Sequence, residues 1–197
     1  MSDDRTIKGN DLARFEKQSE TLSLEQYSAC EISAGCIGVV FRWSDLASAI
    51  SVNATVLGTG KSLAVYFDGV AFERRFPKVE VGAHVLALQV IAGEGLTAAV
   101  VTMHERPGTQ RGPDARRWRF RTDTASWRMW LGPAAPQGWA EPGFDDRRWA
   151  TPLAHPSTRS DWDFRFAERE GAVLIGAPLS TAPGTVMLLR GRCAYTP

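Results

Sequence analysis

The stretch His84-Val-Leu-Ala-Leu-Gln-Val-Ile91, Gly93-Glu94-Gly95, Leu96-Thr-Ala-Ala-Val-Val-Thr-Met103 reads as strand, turn, strand. Both runs are rich in Val, Ile and Leu, whose side chains suit a pleated surface, and both are short for buried helices. The glycines between them give the backbone the freedom a reversal needs. Moving outward from this stretch, the same pattern recurs. Lys61–Phe67 and Val70–Phe76 flank Asp68-Gly69, a dipeptide that favours the positive φ angles of a two-residue hairpin. Before them, Ala49–Val56 alternates apolar and polar residues, and Gly35–Trp43 is β-branched and aromatic. Gly58-Thr-Gly-Lys61-Ser62 echoes a phosphate loop but has the wrong spacing and no helix behind it, so it reads as a hairpin turn.

On the C-terminal side, strands are expected at Arg117–Arg121, Ser126–Trp130, Ala172–Ile175 and Thr185–Arg190, the last continuing to Tyr195. Residues 106–116 and the stretch from Gly132 to about Ser160 are broken by Pro and Gly and read as loops. Short strands separated by turns at this spacing point to an all-β antiparallel sandwich or barrel. Residues 1–29 are polar and read as a leader, flexible or briefly helical, with Leu12, Phe15 and Leu22 as a weak apolar stripe. A single β domain over 30–197 is the simplest organisation.

An apolar content of 44% with seven Trp and nine Phe is ample for a packed core. The net charge of +1 gives no global field to attract nucleic acid or an anionic membrane. The basic surplus is local: the arginines Arg106, Arg111, Arg116, Arg117, Arg119, Arg121 and Arg128 crowd one segment. Over 117–121 a period of two separates the arginines from Trp118 and Phe120, as on a solvated face over a core, which disfavours a stacking nucleic-acid site. Cys30, Cys36 and Cys193 are odd in number and lack paired spacing, so no disulfide scaffold is expected. Met1–Arg14 has no apolar signal core and no run is long enough to span a bilayer. A cytoplasmic protein is therefore the expectation, with non-classical export or a virion as alternatives.

Four segments in order carry a resemblance. Ala64-Val-Tyr-Phe-Asp-Gly69, Val81-Gly-Ala-His-Val-Leu-Ala-Leu-Gln-Val90, Thr122-Asp-Thr-Ala-Ser-Trp127 and Gly138-Trp-Ala-Glu-Pro-Gly-Phe-Asp-Asp-Arg-Arg-Trp149 are similar to the "vyvNG", "l..G.N.i.v.v", "SD.sW" and "gW….fDDs.W" segments of galactose-binding-like jelly rolls. These modules accompany the catalytic domains of glycoside hydrolases of the β-galactosidase and α-rhamnosidase groups. The resemblance covers roughly residues 60–150 and implies a jelly-roll fold, with catalysis belonging to domains outside this chain. Asp68 and His84 both stand where the family carries Asn.

Function is expected at the aromatic residues. Sugars stack on exposed indoles while polar groups hold their hydroxyls. Trp130, Trp139 and Trp162 are the stacking candidates, with Arg128, Asp161 and Asp163 for the hydroxyls. Trp118 is a further stacking candidate, whereas Trp127 and Trp149 read as core. In Phe144-Asp145-Asp146, the aspartates read as caps of a turn accepting backbone N–H groups, with Trp149 plugging the sandwich. Their alternative is Ca2+, with Asp161 and Asp163 as further oxygen ligands, in a spacing that matches no EF-hand. His84, His104 and His155 show no metal spacing, and no nucleophile motif is present. No cofactor and no catalytic residue are expected. The leading reading is a non-catalytic module whose partner is carbohydrate. The alternatives are a structural or protein-interaction subunit on the same sandwich and an enzyme with a loop-borne site, and neither ligand identity nor oligomeric state follows.

Overall fold

The computed structural model describes residues 28–32, 36–45, 50–72, 82–105, 119–156 and 167–195. The leader up to residue 27, the second half of the Val70–Phe76 run, the whole of the 106–116 loop with Arg117 and Trp118, and Asp161, Trp162 and Asp163 lie outside them. Twelve strands are present among the described residues: β1 (Ser28–Ile32), β2 (Cys36–Asp45), β3 (Ile50–Thr59), β4 (Ser62–Phe67), β5 (Val70–Ala71), β6 (Gly82–Ile91), β7 (Ala98–Glu105), β8 (Arg119–Arg121), β9 (Trp127–Gly132), β10 (Leu153–His155), β11 (Leu174–Gly176) and β12 (Val186–Tyr195). They form two antiparallel sheets. The larger has the order β1-β2-β3-β7-β11-β10, with β8 also paired to β7, and the smaller runs β5-β4-β6-β12-β9.

The sheets pack face to face. One core joins Val56, Ala99, Val101, Met103 and Ile175 of the larger sheet to Phe67, Leu86, Leu88, Trp127, Met187 and Leu189 of the smaller. Alternation sends every second residue of β4, β6, β9 and the start of β12 into this layer. Both sheets are also covered on their outer faces in part, which is why β6 and the first half of β7 read as nearly continuous apolar runs. Leu57, Ala98, Val100 and Leu174 on the larger sheet are covered by Ala167 and Ala172, next to a short helical turn at 167–169. Val85, Ala87, Val186 and Leu188 on the smaller sheet are covered by Trp139 and Ala140.

β12, the last of the described strands, lies between β6 and β9 and pairs with both. At its middle, Gly191 faces inward beneath two stacked rings, Phe120 and Trp127, whose centroids are 5.4 Å apart. A Cβ there would stand 2.8 Å from Phe120 and still closer to the Trp127 indole, so glycine is required by close approach. Trp127 Nε1 donates to the Arg121 carbonyl at 3.0 Å, satisfying the indole inside the core.

Four expectations are corrected. The Gly60–Lys61 turn and the Gly93–Gly95 turn each carry the chain from one sheet to the other, so the first is a crossover and not a hairpin. Lys61 N donates to the Ile91 carbonyl, which ties the two crossovers together. A short strand, Leu153–His155, and a bridge from Ala150 to Met129 interrupt the supposed loop after Gly132. β1 begins inside the segment assigned to the leader. Lastly, the helical turn at 167–169 has no counterpart in the expected elements.

Candidate functional site

Residues 133–149 cross the outer face of the smaller sheet as a series of tight turns. Trp139 N, Glu141 N, Phe144 N and Trp149 N each donate to the carbonyl three residues earlier. The prolines and glycines that deny this segment a ladder also bend its aromatic residues down onto the sheet. Trp139 meets Tyr66 edge-on at 5.2 Å between centroids and lies nearly parallel to Trp149 at 6.4 Å, while Phe144 meets Trp149 edge-on at 5.5 Å. Trp139 is thus only 6% exposed, not the open stacking surface expected of it. Trp149 is half-buried in the same cluster and covers the sheet from outside, whereas it was expected to plug the space between the sheets.

The two adjacent aspartates do different work. Asp145 is exposed and accepts from the Arg147 backbone at 3.1 Å and from its guanidinium at 2.8 and 2.7 Å. The Arg147 hydrogen bonds hold its carboxyl well below the usual carboxylate range. Asp146 is 1% exposed. Its Oδ2 accepts from Arg190 Nη1 at 2.5 Å and its Oδ1 from Arg192 Nη2 at 2.6 Å, both from β12. Arg190 itself is completely buried, donates further to the Glu141 and Pro142 carbonyls, and lies 5.9 Å from the Phe144 ring centroid. Asp146 therefore serves as the counter-charge of two strand arginines, where a cap of backbone N–H groups was expected.

Two of the six candidates share one surface. Arg128 and Trp130 are two residues apart on β9, so both face outward, away from Trp127 and Met129 in the core. The Trp130 ring is half-buried and lies over Gly132, where any Cβ would overlap its six-membered ring. Arg128 leans the other way along the strand, its Nη1 donating to the carbonyls of Ala125 at 3.1 Å and Trp127 at 3.0 Å. Trp139 lies in the aromatic cluster nearby, packed and not presented.

A second cluster escaped sequence reasoning. Asp68 has φ +48° in the hairpin turn, and its carboxylate takes the Val85 N–H at 2.7 Å and bonds His84 Nδ1 at 2.7 Å. His84 stacks on Phe67 at 5.0 Å and is the register partner of Cys193. The signal was available: Asp68 and His84 both stand where the pattern this chain resembles has Asn, and they turn out to be one contact. Thiol, imidazole and carboxylate follow one another here as in a nucleophile relay, but burial, helped by the Asp68 charge, pushes the Cys193 thiol up to about 12. A thiol held protonated is a poor nucleophile, so the arrangement pins the turn to the sheet.

Among the described residues no group of three or more His, Cys, Asp or Glu is placed to hold a metal ion, and no helix is long and apolar enough to cross a membrane. No protein-family model matches this chain, and no curated protein or solved structure matches it either.

Proposed function

We propose that this chain is a non-catalytic module of galactose-binding-like jelly-roll type that binds carbohydrate on the outer face of β9. The observation that carries the reading is the pair Trp130 and Arg128. An indole packed against a glycine of the sheet is pre-organised as a platform for the C–H face of a sugar, and a guanidinium farther back on the same face supplies donors for hydroxyl or acidic oxygens. The order of the four family-like segments supports the fold type, and the module works without a cofactor. Asp161, Trp162 and Asp163 stay in the proposal as further contacts. Trp139 enters it only as the support beneath the site.

The test is a glycan array with wild-type protein and Trp130→Ala. Binding should be lost in the variant while its melting temperature stays within a few degrees, because the ring is only half-buried. Binding that survives Trp130→Ala overturns the assignment.

A second reading, a structural or protein-interaction subunit, is favoured by the consumption of Trp139, Trp149 and Asp146 in internal packing. It predicts an empty glycan array and a defined oligomer in light scattering.

A further inference from the structure

We infer that the saccharide is acidic and at least two residues long, an oligosaccharide carrying uronate carboxylates; this rests on the carbohydrate reading above. Arg190 and Arg192 share Asp146, and Arg147 is paired with Asp145. Arg128, the register partner of Arg190 across the β9–β12 ladder, has no carboxylate among the described residues. Its bonds go from one nitrogen, Nη1, to two backbone oxygens.

The nearest carboxylate in sequence, Asp123, is committed elsewhere. Asp123 accepts the N–H groups of Ala125 and Ser126 at 2.7 and 2.6 Å and the Ser126 hydroxyl at 2.6 Å. Arg128 is therefore a half-buried cation, held by two backbone carbonyls and with no counter-ion among the described residues. A partly desolvated charge of this kind gains most from an anionic partner. With Nη1 occupied, the Nε and Nη2 edge is the remaining fork, and that edge matches the two oxygens of a carboxylate.

Length follows from direction. Residues two apart on a strand are separated by about 6.6 Å. Arg128 turns back toward Ala125, and Trp130 lies forward over Gly132, so the guanidinium and the indole diverge from that spacing. A single pyranose stacked on Trp130 does not reach Arg128. A chain running along β9 does, with a neutral ring face on the indole and a carboxylate on the guanidinium.

The experiment is an array of oligosaccharides in matched pairs that differ only in oxidation at C6 (glucan and glucuronan, galactan and galacturonan, mannan and mannuronan), with sulfated oligosaccharides alongside. Hits are titrated with wild type, Arg128→Gln, Arg128→Lys and Trp130→Ala, each checked for an unchanged melting temperature. At least one uronate should bind about tenfold tighter than its neutral twin, the worth of one charge-assisted hydrogen-bond pair. Arg128→Gln should erase the difference, Arg128→Lys should keep part of it, and Trp130→Ala should lose both members. Equal binding of the two members, or a uronate preference intact in Arg128→Gln, overturns the inference and leaves the carbohydrate reading standing. Hits confined to sulfated chains overturn the carboxylate. An empty array sinks both.

Discussion

Replacing Asp146 by Asn should be one of the most damaging single-atom changes available in this molecule, and replacing its neighbour Asp145 the same way one of the most harmless. Asn keeps the size of Asp146 and one acceptor, but it turns an N–H toward one of the two guanidinium groups. Arg192, with a side chain 54% exposed, can turn to water. Arg190 cannot, because it is completely buried, and its remaining acceptors are the Glu141 and Pro142 carbonyls. Breaking a buried pair by removing one partner costs about 3–5 kcal/mol, and those carbonyls place Asp146→Asn near the lower end. With a urea dependence of about 3 kcal/mol per M, the unfolding midpoint should fall by about 1 M. The loss should persist in high salt, since no solvent screens the pair. Asp145→Asn should leave the midpoint where it is, the pair being fully exposed. Arg192→Ala should fall between the two, at under about 1 kcal/mol. Equal effects of the two Asp substitutions would show that Asp146 is not the counter-ion of a buried cation.

Trp139→Ala should destabilise by about 3–5 kcal/mol, through loss of the Tyr66 and Trp149 contacts; urea unfolding measures it, and it makes this variant unsuitable for testing binding. Gly191→Ala should cost about 1–3 kcal/mol or more, since neither Phe120 nor Trp127 has room to retreat, and a cooperative melt at an unchanged temperature would contradict the close approach. Cys193 gives a pH dependence. Its folded value, about 12, lies above the ordinary 9.0, so its contribution to stability is whole below pH 9.0 and is lost as pH rises toward 12. Cys193→Ala should therefore flatten the fall of stability over that window, read by denaturant midpoints at intervals of pH. Treatment with EDTA should leave the melting temperature unchanged; a clear drop would establish a structural cation.

The strands were legible because their chemistry is local. Alternation in Ala49–Val56 and the Asp68-Gly69 turn each encode their own conformation, and both appear where expected. The sheet assignments were not, because strand, turn, strand looks alike whether the second strand folds beside the first or crosses to the opposite sheet. Which happens at Gly60–Lys61 is decided by Ile91 and the rest of the core, residues distant in sequence. The same limit governs the site. Arg128 and Trp130 are neighbours by period two, so their common face could be read directly. The burial of Trp139 depends on Tyr66 and on residues of β6 and β12, which the Pro/Gly-rich segment around it does not reveal. Asp146 read as a turn cap because its true partners stand more than forty residues later, on a strand that looked purely apolar up to Leu189.

β12 has a consequence for the order of events in folding. The strand is the last of the described elements, yet it fills the middle of the smaller sheet, with β6 on one side and β9 on the other. Until it arrives, β6 and β9 have no ladder to join them, Asp146 has no cations, and the indole of Trp127 has no glycine to lie against. The smaller sheet thus closes in one step that couples residues about a hundred positions apart, the kind of distant pairing that slows folding. During synthesis β6 and β9 would wait with exposed edges for β12, which acts as the keystone on which the smaller sheet and the β9 surface are completed together.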